Sequence, residues 1–281
     1  MNAPPCCPVQ SLHLTVLVEN TCPGGGLVAE HGLALLLETE RGTVLFDTGA
    51  TPAVLAANAA ALGIDLARVS AIVLSHGHYD HTGGLPAVLA AAPAARVYYH
   101  GRCTVWRWGQ RWGIRKSIGM PTASRRALES ATREPVAGPT LLPEGILLSG
   151  PIPGPPAAAQ DGFLADADGG SRPDDFTDEV FLLARTPSGW LLATGCCHRG
   201  MENTLAHARQ LTGGEPVAMV VGGLHLKGAA RGDLEAAAAA LDAAGSREVW
   251  AGHCTGDKAI THLAKHWQGR VETIGAGLSL P

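Results

Sequence analysis

Apolar positions along the chain fall in short runs separated by glycine, proline and polar clusters. LHLTVLVE (12–19), LALLLET (33–39), TVLFD (43–47), AIVLS (71–75), RVYYH (96–100), EVFLLAR (179–185), WLLATG (190–195), VAMVVGG (217–223) and REVWAGH (247–253) are short and rich in β-branched, leucine and aromatic residues, so they predict strands. Helix signals lie between several of them. TPAVLAANAAAL (51–62) has Thr51 as cap and Pro52 in the first turn, and it stops at Gly63. Residues 83–91, 201–211, 233–244 and 256–267 predict further helices.

The pattern runs twice. Each half begins with a strand hairpin, turning at Glu40–Gly42 in the first and at TPSG (186–189) in the second, and continues as strand–helix alternation. This predicts an α/β chain of two mixed sheets packed face to face and flanked by helices, a four-layer αββα sandwich. Residues 1–281 then form a single domain. A section at about 101–176 interrupts the pattern and reads as an insertion between the halves. Its first part, 101–126, holds Arg102, Arg107, Arg111, Arg115, Lys116, Arg125 and Arg126 with no acid, together with Trp106, Trp108 and Trp112. Its remainder, 135–176, is rich in Pro, Gly, Ala and Asp and reads as loops.

The densest chemistry follows the fourth apolar run. LSHGHYDHTGG (74–84) places His76, His78, Asp80 and His81 within six positions, and Gly83-Gly84 turns the backbone into the next helix. Imidazole and carboxylate in one turn suit Zn, Mn or Fe. Four donors this close can serve two ions about 3.5–4 Å apart, an arrangement suited to ester and phosphoester hydrolysis. Asp47, in LFDTG (45–49), ends an earlier strand; it caps the following turn, or holds a ligand histidine in one tautomer, or does both.

Composition narrows the setting. A net charge of −4 implies no bulk nucleic-acid affinity, and no apolar run reaches the length of a membrane span. The N-terminus has neither the basic nor the apolar region of a signal peptide. Seven cysteines in no scaffold spacing predict reduced thiols in a cytoplasm. The cation-rich, Trp-rich section suits an anionic, ring-bearing small molecule. A homodimer is left open by the sequence.

HGHYDHTGG preceded by LFDTG resembles the HxHxDH signature of the metallo-β-lactamase superfamily, from about residue 12 to 275. VEN (18–20), TGCCHRG (194–200), GGLHL (222–226) and GHCTG (252–256) are similar to the subgroup of 7,8-dihydropterin-6-methyl-4-(β-D-ribofuranosyl)-aminobenzene-5'-phosphate synthase. The resemblance implies the αββα fold, one or two divalent ions with Zn first and Mn or Fe as alternatives, and attack by a metal-activated hydroxide on a small anionic, phosphorylated ester or phosphodiester. Its subgroup implies instead a transferase condensing a pterin diphosphate with an aminobenzene compound. A metal-stabilised binding protein without activity is the third reading, because the chain departs from the family at two ligands.

The superfamily's GHTPG-like histidine between the halves is missing, and its TGD-like bridging aspartate is replaced by TGC, which puts Cys196 there and His198 two residues on. Either Cys196 ligates as thiolate, or it is a wall residue and His198 completes the first site beside His76 and His78; the resemblance favours His198. His253 falls where the last ligand is expected and joins Asp80 and His81. Asp80 then both ligates and orients the nucleophile. His225, in GGLHL, either packs behind a ligand, ligates itself, or lines the site to donate to the oxyanion or the leaving group. Glu19, Asn20, Arg115 and Lys116 are expected as substrate contacts, the last two because they precede SIGMP (117–121). Asp178 and Glu179 are expected as a solvated turn, and His13, His31, His207, His262 and His266 as solvated side chains.

Overall fold

The protein is seen in a computed structural model that describes residue 4 and residues 6–157, 162–167 and 170–281. One seven-stranded sheet runs in the order Ser279–Leu280, Leu12–Val18, Ala34–Thr39, Gly42–Phe46, Val69–Val73, Arg96–Tyr99 and Arg133–Pro135. The last four of these strands are parallel, and the hairpin closes as expected with Thr39 opposite Gly42. The other seven-stranded sheet runs Arg270–Thr273, Glu248–Gly252, Met219–Gly223, Gly189–Thr194, Leu182–Thr186, Leu147–Leu148 and Thr140–Leu141. Its first four strands are parallel.

Alternation of side chains along each strand sorts them into three cores. Val16, Leu35, Leu37, Val44 and Phe46 of the first sheet meet Leu148, Leu182, Ala184, Leu191 and Val221 of the second, forming the layer between the sheets. Their neighbours point the other way. Leu17, Leu36, Leu45 and Ile72 pack under Leu55 of helix Pro52–Ala61 and Leu85 and Val88 of helix Leu85–Ala91. Leu183, Leu192, Val220 and Val249 pack under Leu205, Leu241 and Leu263, which lie on helices Met201–Leu211, Arg231–Ala243 and Asp257–His266. Strands buried on both faces explain why the runs are nearly continuous in apolar residues. The result is the four-layer αββα sandwich.

The middle section carries more regular structure than its composition signals. Arg107–Arg111, Ile114–Ser117, Phe163–Ala167 and Gly170–Pro173 form a separate four-stranded antiparallel sheet, and Thr122–Ser130 is a helix. Arg133–Pro135 and residues 140–141 and 147–148 extend the two large sheets at their edges. Residues 158–161 and 168–169 of the expected loops lie outside the described residues. Edge strands of two to four residues are too short for a periodic signal, which is why the sequence reads them as loops.

Candidate metal centre

The C-terminal ends of five parallel strands meet at one rim, the usual place for a site in such sheets. Gly42–Phe46 delivers Asp47, Val69–Val73 leads to Ser75 and His76, Gly189–Thr194 leads to Cys196 and His198, Met219–Gly223 leads to His225, and Glu248–Gly252 leads to His253. Several of these residues sit in the left-handed backbone region: Asp47 (φ 60°), His225 (φ 50°), His253 (φ 53°), and also Phe176 (φ 48°) and Cys197 (φ 67°). Such conformations are costly outside glycine and persist where the surroundings enforce them.

Hydrogen bonds fix the ring nitrogens. Asp47 accepts from the Ser75 N–H (2.7 Å), the Ser75 hydroxyl (2.7 Å) and His81 Nδ1 (2.7 Å). The Ser75 proton is thereby used, so its oxygen accepts from His76 Nδ1 at 2.8 Å. His253 Nδ1 bonds Asn20 Oδ1 at 3.0 Å while the Asn20 amide donates to the His253 carbonyl at 3.0 Å. In all three rings Nε2 is left with a lone pair facing the centre, the arrangement in which an outer partner orients a metal ligand. His76 Nε2 and His78 Nε2 are buried with no protein partner.

The donors form two groups. His81 Nε2, His253 Nε2 and Asp80 Oδ2 are separated by 3.1, 3.5 and 3.8 Å. With Zn–N bonds of about 2.0–2.1 Å, two donors on a tetrahedral ion stand about 3.3 Å apart, so these three fit one coordination sphere. His76, His78 and His198 form the second group, with donor atoms within 4.8 Å of one another. Cys196 lies between the groups: its sulfur is 3.2 Å from His81 Nε2 and within 4.8 Å of a donor nitrogen of both His76 and His81. The residues present therefore fit divalent ions.

Electrostatics agrees with positive charge at the centre. Burial works against a charge on His81, yet Asp47 and Asp80 outweigh it and raise its pKa to about 9; the same carboxylates favour a cation at Nε2. His76, His78, His198 and His253 are instead held well below the ordinary 6.5 by burial and by each other. Groups with depressed pKa contribute stability above their unfolded value and lose it as pH falls. His81 and the buried Glu179, both raised, shift stability the opposite way over the same range, so the rings themselves are the readout: in metal-free protein the four are expected to stay neutral as pH falls from about 7 to 6, and histidine ring NMR signals titrating near 6.5 would overturn that. Burial also pushes the Cys196 thiol well up, so it ionises only against a cation.

Three expected substrate contacts are placed elsewhere. Glu19 is buried and accepts from the N–H of His253 (2.6 Å) and from Thr21; Asn20 holds the His253 ring. Arg115 lies over Trp108 at 4.3 Å and pairs with Asp166, turned away from the cleft. Lys116 does line the cleft, a cavity of about 810 Å³ whose wall includes Arg111, Trp112, Ile114, Lys116, Phe163 and Lys227, and where Asp80 is the sole acid among the described residues. His78, His198, His225 and His253 reach the same cavity, and the His225 ring centre is 4.2 Å from that of His198.

Sequence reasoning missed the carboxylates that build the rim. Asp178 and Glu179 are fully buried, not solvated. Glu179 accepts from the N–H groups of His198 (2.7 Å) and Arg199 (2.6 Å), and burial raises its pKa to about 7 against those bonds. Asp178 accepts from the Gly77 N–H (2.8 Å) and from Arg107 Nη2 (2.6 Å); Arg107 Nε bonds Asp174 at 2.6 Å, and all three side chains are buried. Gly77 has to be glycine, since a Cβ there would collide with the Cys103 carbonyl and the Arg107 guanidinium. The DDFTDE run beside a strand was the available signal, and Arg107 was hidden among neighbouring cations. His31, expected in solvent, stands beside Asp80.

Residues 28–186 match the model of the metallo-beta-lactamase superfamily. The chain is 30% identical over 257 residues to the uncharacterized protein MJ0448 of Methanocaldococcus jannaschii, covering 90% of this chain and 94% of that one. It belongs to the metallo-beta-lactamase superfamily. It is also 26% identical to 7,8-dihydropterin-6-methyl-4-(beta-D-ribofuranosyl)-aminobenzene-5'-phosphate synthase of the same organism, covering 89% of each chain. Among solved structures it is similar to Tm1679, a metal-dependent hydrolase of the beta-lactamase superfamily, at 30% identity and a TM-score of 0.83, covering 96% of this chain and 99% of that one.

Proposed function

We propose that the protein is a metal-dependent hydrolase of small anionic esters, with phosphodiesters first among them. The observation that carries this reading is the pair of donor groups, Asp80–His81–His253 and His76–His78–His198, opening together onto one cavity. Divalent ions held there would supply Lewis acidity and a nucleophile at neutral pH. His198 takes the place of the histidine absent between the halves, and Cys196 stands where one sulfur reaches both groups.

The chain's own residues then do the rest. Asp47, Ser75, Asn20 and Glu19 hold the ligand rings in one tautomer and position, so little reorganisation accompanies the reaction. Arg111, Lys116 and Lys227 set a positive wall that favours an anion and disfavours cationic competitors. Trp112 and Phe163 offer flat faces for a ring. His225, on the cavity wall beside His198, is placed to give a proton to a leaving group. Free thiols at all seven cysteines agree with a reducing cytoplasm, and among the described residues no helix is long and apolar enough to cross a membrane.

The full-length relative named as a synthase favours a second reading, in which the same cleft holds a dihydropterin diphosphate for condensation with an aminobenzene ribotide. One experiment separates the readings. Protein loaded with Zn or Mn is assayed on a chromogenic phosphodiester and, separately, on a pterin diphosphate with an aminobenzene acceptor. Diester turnover that a chelator abolishes and added metal restores supports the hydrolase. Condensation without diester turnover would overturn it in favour of the synthase, and metal binding with neither activity would leave a binding protein.

A further inference from the structure

His31 lies on the connection between Leu12–Val18 and Ala34–Thr39, and its side chain is 58% exposed. Yet its backbone is pinned on both sides. The Glu30 carboxylate accepts from the Ala50 and Thr51 N–H groups and the Thr51 hydroxyl, the Gly32 N–H bonds Asn20 Oδ1, and the Leu33 N–H donates to the carbonyl of Asp80 itself at 3.2 Å. Gly32 packs so closely on that carbonyl that a Cβ would stand 2.7 Å from it. The connection is thus built against the Asp80 backbone, and it sets one imidazole at the mouth of the centre. His31 Nε2 is 3.2 Å from Asp80 Oδ2, its ring stacks on that of His253 with centres 5.0 Å apart, and His31, Asp80 and His253 place donor atoms within 4.8 Å of one another.

We propose that His31 is a fourth protein ligand to the ion held by Asp80, His81 and His253. This rests on the metal-centre reading above. The 3.2 Å separation from Asp80 Oδ2 is that of adjacent donors on one ion, about 3.3 Å. A hydrogen bond to a carboxylate alone explains the distance, but not the stacking on His253 nor the tethering of the connection to Asp80. The consequence is a division of labour. Four protein donors close one ion's sphere, as in sites that fix structure and charge, while His76, His78 and His198 leave the other ion an open position toward the cavity, as in sites that do chemistry.

Cobalt(II) tests this without an activity assay. Metal-free wild type and the variants His31→Ala and His31→Gln are titrated with Co(II) against a competing chelator while the visible absorption is recorded. Wild type is expected to take two equivalents. His31→Ala is expected to bind one of them at least tenfold more weakly, with an altered visible spectrum for that equivalent only, and millimolar imidazole is expected to restore both because the position opens to solvent. His31→Gln keeps a hydrogen bond to Asp80 but is a poor ligand, so it is expected to behave like His31→Ala. Unchanged affinity and spectrum in His31→Ala, or wild-type behaviour in His31→Gln, would overturn the ligand role and leave the metal-centre reading intact. No Co(II) uptake by wild type would overturn both readings, before any variant is compared.

Discussion

His198→Ala is expected to remove one of two bound ions and to lower turnover of a phosphodiester by more than about a hundredfold. The lower bound follows from scale: even outer partners of metal ligands are worth roughly 10–100-fold, and His198 is proposed as a ligand itself. His76 and His78 alone leave that ion two imidazoles two positions apart on one loop. The His198 ring is also held flat against Phe176, with centres 4.1 Å apart and planes 6° apart. Cys196→Ala is the contrasting variant. Each donor group keeps its three nitrogens or oxygens without the sulfur, so both ions are expected to stay. Metal content per chain decides the matter. Two ions in His198→Ala, or loss of one in Cys196→Ala alone, would move the ligand role to the sulfur.

The second large effect is on stability. Arg107 is fully buried and bonded to two buried carboxylates, Asp174 and Asp178, at 2.6 Å each. Replacing it with methionine keeps the volume but leaves two carboxylates without their cation. Breaking a buried ion pair from one side costs about 3–5 kcal/mol. At roughly 2–4 °C per kcal/mol for a chain of this size, the thermal midpoint is expected to fall by about 10 °C. Arg107→Lys is expected to rescue little, because one ammonium cannot bond both carboxylates in the planar fork that guanidinium provides. Arg126→Ala, an exposed cation of the same sequence cluster, is expected to stay within about 0.5 kcal/mol of wild type by thermal melting. Equal effects at Arg107 and Arg126 would show that the buried triad carries no stability.

Arg107 also shows where sequence reading stopped. The nine short apolar runs were legible because strands buried on both faces have to be continuous in Leu, Val and Ile, and the two hairpin turns and five helices had ordinary start and stop chemistry. The HGHYDH cluster was legible because no other use of so many donors in one turn competes. The small sheet at 107–117 and 163–173 was not legible: its strands are short, half solvated and rich in Arg and Gly, and the pairing that joins its two hairpins, Phe163 with Gly109, connects residues far apart in the chain. The same reason hid the rim carboxylates. Asp178 and Glu179 look like any polar turn until the fold brings Gly77 and His198 against them. Glu19 and Asn20 were expected to line the cleft, and the bonds that turn them toward His253 instead span over two hundred residues.

Those long bonds bear on when the centre can form during synthesis. Glu19 grips His253 and Asp178 grips Gly77, so each half of the chain holds a donor-bearing loop of the other. A growing chain that has only its first half out of the ribosome presents His76, His78, Asp80 and His81 without the Asp178 carboxylate that pins the loop, and without His198 and His253. Ions bound by these donors would therefore be held tightly only after residue 253 has emerged and the two sheets have closed, and would then link the halves. Metal loading would then be a closing step of folding, which would tie the choice of ion to the free metal surrounding the finished chain.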